Sequence, residues 1–162
     1  MATLEPKYAA ETAITINADG ILNNTARQST VVDNTSNLYT DAKITLKLQT
    51  GAGALASNPL ILIYAYALSF GGTTYPDGIT GADGSYTLYS LPNLPLIRAI
   101  NVQTANTSFA SDELSIAAAY GGVLPRKWGI VIVNNTGLTL AGTAGQSLLN
   151  AASFMPEQLQ AV

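Results

Sequence analysis

The sequence predicts an all-β fold: an antiparallel β-sandwich, jelly-roll-like, with extended N- and C-terminal arms. Three observations carry this. Residues 42–49, Ala-Lys-Ile-Thr-Leu-Lys-Leu-Gln, alternate strictly, with Ile44, Leu46 and Leu48 on one face and Lys43, Thr45, Lys47 and Gln49 on the other, the mark of a strand with one wet side. Leu60–Leu68 and Ile130–Val133 are apolar in both parities, rich in Ile, Val or Tyr and bounded by Pro, Gly or Asn, the mark of strands buried on two faces. Turn signals then recur along the chain and give about eight or nine short strands, with no segment of clear helical periodicity. An immunoglobulin-like sandwich is the nearest competitor, but its paired cysteines are missing.

Taken in order, residues 1–10 lack alternation and carry Pro6, and read as an arm. Thr12–Ile16 alternates as a first strand, and Asn17-Ala18-Asp19-Gly20 is a turn. Ser29–Asp33 reads as a second strand after a polar stretch. Ala42–Gln49 and Leu60–Leu68 follow. In the latter, Tyr64 and Tyr66 share a face, and their phenols are expected to reach a rim or a partner. Residues 71–84 form a long Gly-rich loop with two Asp-Gly pairs. Strands are expected at 85–89, at 96–104 with Leu96, Arg98, Ile100 and Val102 on one face, and at 113–120 with Leu114, Ile116 and Ala118 inward. Leu124–Gly137 carries the only Trp, Trp128, and reads as a central strand ended by an Asn-Asn-Thr-Gly turn, with Trp128 in the core. Gln146–Ser153 is a short helix or a last strand, ended by Met155-Pro156-Glu157. The domain division is an arm over 1–10, a sandwich over 11–145 and a C-terminal strand or arm over 146–162.

Composition narrows the function. Charged residues make up 10% of the 162-residue chain, against roughly 25% in an ordinary soluble domain. A surface built instead from Thr, Ser, Asn, Gln and Gly suits either an extracellular β domain or a subunit of an assembly, because it costs less to desolvate on contact. Net charge is −3 and no basic cluster exceeds Arg126-Lys127, so nucleic-acid binding is not expected. The start, Met1–Tyr8, lacks the apolar core of a secretion signal, and the longest apolar run falls short of a bilayer span. Synthesis in the cytoplasm and no membrane association are therefore expected.

Cysteine and histidine are both absent. That removes disulfides, thiolate metal sites, cysteine nucleophiles, the Ser–His–Asp triad and the usual zinc ligand. Asp77 and Asp83 lie in one loop but lack the EF-hand pattern, and Asp-Gly is turn chemistry first. Asp112 and Glu113 are neighbours and point to opposite faces of a strand. Asn135-Thr136-Gly137 has the shape of an aspartic-protease element without its carboxylate. The Asn-x-Ser/Thr triplets at Asn23, Asn34, Asn106 and Asn134 predict nothing without a secretion signal. No catalytic, cofactor-binding or metal-binding residue is assigned, and no enzymatic activity is expected.

Two segments carry a resemblance. Leu62-Ile63-Tyr64-Ala65-Tyr66 with Gly71-Gly72-Thr73-Thr74-Tyr75-Pro76-Asp77-Gly78 is one, and Ala117-Ala118-Ala119-Tyr120-Gly121-Gly122-Val123-Leu124-Pro125-Arg126-Lys127-Trp128-Gly129-Ile130-Val131 is the other. They resemble a family of small structural proteins of tailed bacteriophages, over about residues 40–141. The resemblance implies a virion component, a β-rich decoration or cement protein on the capsid. Its partners would be the major capsid protein and copies of itself, as a dimer or trimer. The alternatives are a tail or neck component, and a carbohydrate-binding or host-adhesion module using the 71–84 loop with Tyr75, Tyr86 and Tyr89.

Overall fold

A computed structural model describes residues 3–69, 74–87, 93–141 and 151–161. In chain order its elements are β1 (Leu4–Tyr8), β2 (Thr12–Ile14), β3 (Thr25–Gln28), β4 (Val32–Asp33), β5 (Asp41–Gln49), β6 (Leu60–Ala67), β7 (Gly84–Tyr86), β8 (Leu96–Asn101), β9 (Ser108–Ala110), β10 (Leu114–Ser115), α1 (Ile116–Ala119), β11 (Lys127–Asn135) and β12 (Ala151–Ala161). The strands form two antiparallel sheets. One runs β1-β12-β5-β10, with β2 also on β12 and β9 also on β5; the other runs β7-β3-β11-β6-β8, with β4 also on β11. The expected all-β antiparallel sandwich is the fold.

The core is where alternation places it. Ile44, Leu46 and Leu48 of β5 and Ala152 and Phe154 of β12 face Ile61, Ile63 and Ala65 of β6 and Trp128, Ile130 and Ile132 of β11, all buried. Each large side chain removed from water contributes about 1.5–3 kcal/mol. Trp128 meets the Phe154 ring edge-on, with centroids 5.3 Å apart, so the tryptophan is the core residue expected of it.

β11 is central and buried on both faces. Its outer face, with Tyr66 of β6, makes a second apolar cluster with Ala26, Ile79, Tyr86, Leu94, Val131 and Val133. Tyr66 crosses β11 over Gly129, its register partner, and donates its hydroxyl to the Ser29 carbonyl at 2.8 Å. Burial first of all pushes the Tyr66 phenol up to about 12. This phenol therefore ends inside the molecule, not at a rim or a partner as its position suggested.

Several expectations are corrected. The strand expected at Ser29–Asp33 splits: β3 lies earlier, at Thr25–Gln28, and only Val32–Asp33 pairs later. The break falls at Ser29, whose hydroxyl accepts from Ile130 N–H and whose carbonyl holds Tyr66. On β8 a register shift opposite Ile63/Tyr64 changes the parity, so Ile97 and Ile100 both pack on the core while Leu96 is exposed and Arg98 reaches Asp112. The strand expected over 113–120 becomes a helical turn. Ser115 caps α1 by accepting the Ala118 N–H, three alanines follow, and Gly121 and Gly122 end it at positive φ. Ala118, expected inward, is exposed. β12 does not end at Met155-Pro156-Glu157 but runs on to Ala161, and residues 4–8, expected as an arm without strand character, pair with it. The helical alternative fails at 151–153; residues 146–150 lie outside those described.

The turn after β11 is held by a buried amide. Asn134 donates to the carbonyls of Ile21 and Leu138 at 2.8 and 2.7 Å and accepts from the backbone N–H and hydroxyl of Thr136. Both residues are fully buried, so removing the amide strands several partners without water. Asn134→Ala is expected to cost about 2–4 kcal/mol in urea unfolding. Asn134→Asp should cost at least as much, because a carboxylate cannot donate to two carbonyls. An unfolding midpoint unchanged in both variants would contradict this account.

Candidate functional site

Strand pairing makes one part of this molecule unlike the rest. β12 pairs with β5 from Ala151 to Glu157 on one side, and with β2 and then β1 on the other. β5 begins at Asp41, opposite Glu157. Beyond that point, among the described residues, only β1 accompanies β12, and Leu4–Lys7 with Gln158–Ala161 leave the sandwich as a two-stranded ribbon.

Two prolines fit this ribbon for a geometric reason. The Ala9 N–H donates to the Pro156 carbonyl at 2.8 Å, so in the alternating antiparallel ladder Lys7/Gln158 and Glu5/Gln160 are the hydrogen-bonded pairs. Pro156 lacks its N–H where the flanking strands change from β2 to β1. Pro6, opposite Leu159, turns its nitrogen to the open edge of β1, the place where a sheet tolerates proline.

Alternation also sorts the side chains. Leu4, Pro6 and Tyr8 share one face with Leu159 and Ala161, and with Glu157 at its root; Glu5 and Lys7 share the other with Gln158 and Gln160. Leu4, Tyr8 and Leu159 are 62%, 52% and 55% exposed. This apolar face continues the outer side of the sheet, because Ala152 and Phe154, of opposite parity on β12, point into the core. Two other exposed apolar residues lie in segments tied to the start of β5. Leu38, 73% exposed, sits at φ 53, three residues before Asp41. Val123, 70% exposed, follows α1, whose Ala117 N–H is bound by Asp41. An apolar cleft of about 350 Å³, lined in part by Ala67, Leu68, Pro95, Tyr120 and Pro125, opens where β6 ends. Burial pushes the Tyr120 phenol up.

Asp41 anchors this end. Its carboxylate accepts from the N–H groups of Ala42 and Ala117 at 2.7 and 2.9 Å, from Ser115 Oγ at 2.7 Å and from Lys43 Nζ at 2.7 Å. Burial works against its charge, but Lys43 and the other donors outweigh it and hold the carboxyl below its ordinary range. β5, β10 and α1 are thereby fixed under the ribbon's root, where the Thr40 N–H also donates to the Glu157 carbonyl.

Comparison of the chain with protein-family models, curated proteins and solved structures returns no match.

The residues singled out in the sequence are otherwise occupied. Asp83 forms a bidentate pair with Arg27, at 2.7 and 2.9 Å, and accepts from the Asn17 N–H. Asp77 accepts from the backbone and side chain of Asn93. The two carboxylates thus serve separate structural bonds, and among the described residues no cluster of acidic groups fit for a metal is found. Asp112 pairs with Arg98, and Lys127 with Asp33, which the Thr35 hydroxyl and N–H bring down to about 2. Arg126 is exposed. Asn34 and Asn134 are buried, out of reach of glycosylation. Tyr75 packs edge-on against Tyr66 with centroids 5.5 Å apart, and Tyr86 is buried in the second cluster. The carbohydrate-binding alternative would need these rings open to sugars, and Tyr75 and Tyr86 are instead used in packing; Tyr89 lies outside the described residues. Sequence reading missed the ribbon. Its signal was the alternation of Leu4, Pro6 and Tyr8, hidden by the proline.

Proposed function

We propose that this protein is a non-enzymatic structural component of a tailed-bacteriophage virion, a capsid decoration or cement protein that binds the lattice of the major capsid protein. It would be made in the host cytoplasm, act on the virion and associate with copies of itself. The observation that carries the reading is the β1–β12 ribbon: an apolar face held in water on a charge-poor protein. Exposed apolar residues that cluster mark an interaction site. The resemblance of residues 117–131 and 62–78 to phage structural proteins supplies the class of partner.

Leu4→Asp with Leu159→Asp tests it. The double variant should keep the wild-type unfolding midpoint, since both side chains are exposed, and should lose occupancy on purified capsids of the cognate phage. Full occupancy by the variant, or no occupancy by the wild type, would refute the reading.

A further inference from the structure

We infer that the ribbon is a dimerisation element: the segment Leu159–Ala161 of β12 pairs antiparallel with the same segment of a second copy, centred on Gln160. The inference deepens the virion reading by naming where copies of the chain would meet, and its evidence is backbone geometry.

In the ladder set by Ala9 and Pro156, the polar backbone groups of Gln158 and Gln160 face β1. Those of Leu159 and Ala161 therefore face the other way. On that side β5 has stopped at Asp41, opposite Glu157, and among the described residues no strand lies against them. The result is an open strand edge beside a half-exposed leucine. Such edges seek a partner strand unless something blocks them.

The outer edge of the ribbon is blocked. There Pro6 interrupts the row of donors on β1. Of the ribbon's two edges only Leu159–Ala161 can accept a strand, and pairing of that edge with its own copy about a two-fold closes at two without growing into a fibre. The segment suits itself as its own partner. An antiparallel pair centred on Gln160 joins Leu159 of each copy to Ala161 of the other through N–H···O bonds, and sets the two Gln160 amides side by side. No charge lies within Gln158–Ala161, so the two-fold puts no like charges opposite one another. The axis would stand normal to the ribbon. Leu4, Pro6, Tyr8 and Leu159 of both copies would then share one face, doubling the apolar platform.

The chain has no cysteine, so an introduced thiol reports alone. Gln160 would face its own copy in a non-hydrogen-bonded pair, with Cα atoms about 4.5 Å apart, inside the range a disulfide spans. Gln160→Cys, oxidised mildly as the full chain without capsid, should give disulfide dimer as the main product. Lys7→Cys, on the outer strand, should stay monomeric. Adding Leu159→Pro to Gln160→Cys should abolish the dimer, because it removes an N–H needed between copies while the β1 bonds, made by Gln158 and Gln160, persist; circular dichroism checks that the fold is retained. A Gln160→Cys dimer no more abundant than that of Lys7→Cys would overturn the inference. So would dimer that survives Leu159→Pro in a folded protein. A strand from another protein filling this edge would appear as failure to cross-link in its absence, and would also overturn it. Capsid occupancy is read separately, so a monomer that binds capsids refutes only the dimer, and a dimer that does not bind refutes only the virion reading.

Discussion

Gly129→Ala should destabilise the protein by about 1–3 kcal/mol or more, the usual cost of forcing atoms into a packed core. A Cβ at Gly129 would lie 2.5 Å from Tyr66 Cε1 and closer still to Cζ and the hydroxyl oxygen. The ring cannot retreat easily. It is fully buried, abutted edge-on by Tyr75 and tied by its hydroxyl to the Ser29 carbonyl. Moving it breaks that bond and leaves a buried phenol without its acceptor. The cluster over β11 would loosen first, because Tyr66, Val131 and Val133 are its floor. A double-mutant cycle separates the clash from other effects. Tyr66→Ala alone should be costly, but adding Gly129→Ala to it should cost much less than in the wild type. Urea unfolding of the four proteins gives the coupling, and additive costs would contradict the close packing of this pair.

Asp41→Asn should cost about 2–4 kcal/mol at neutral pH, the scale of breaking a mostly buried charged network. The Asp41 side chain is 12% exposed and has four donors on it. An amide brings its own N–H groups against some of those donors and leaves Lys43 unpaired. The effect depends on pH in a stated direction. The folded carboxyl ionises below its ordinary value of 3.8, so its contribution is complete above the unfolded value and is lost as pH falls through the folded one. Wild type should therefore weaken steeply below about pH 4, whereas Asp41→Asn should weaken less over the same descent. The variant should not become flat, because Asp83, held low by Arg27 against its own desolvation, titrates in the same direction. Parallel stability curves for the two proteins between pH 6 and pH 3 would show that Asp41 is not the responsible group.

The strands that could be read from sequence are those whose neighbours do not alter their alternation. β5 has one wet and one dry face, and β6 and β11 have two dry faces; each run of side chains states its own burial. Legibility fails where a single backbone event changes phase. The irregularity in β8 moves Ile97 and Ile100 onto the same core. At α1, Leu114 and Ile116 alternate like a strand, but Ser115 and the alanines close a helical turn whose capping partners are local. β12 was hidden differently. Its proline falls where the strand changes partners, a place fixed by residues at the other end of the chain. The ribbon could not be read from either end alone, since Leu4–Tyr8 becomes a strand only beside Glu157–Ala161.

The same pairing bears on how the chain reaches this structure. β12 lies between β5 and the strands β1 and β2, so the first-made and last-described strands become neighbours only through residues 151–161. A nascent chain still lacking Ala151–Ala161 would leave β5 with a bare edge and Ile44 without the Phe154 strand opposite it. Such pairing across the full sequence is slow to form, because the loop it closes spans nearly the whole chain. During translation β1 and β2 must wait, exposed and unpaired, for a partner more than a hundred residues away. Pro6, which removes a donor from the edge of β1, suits a segment that spends that interval without a partner strand.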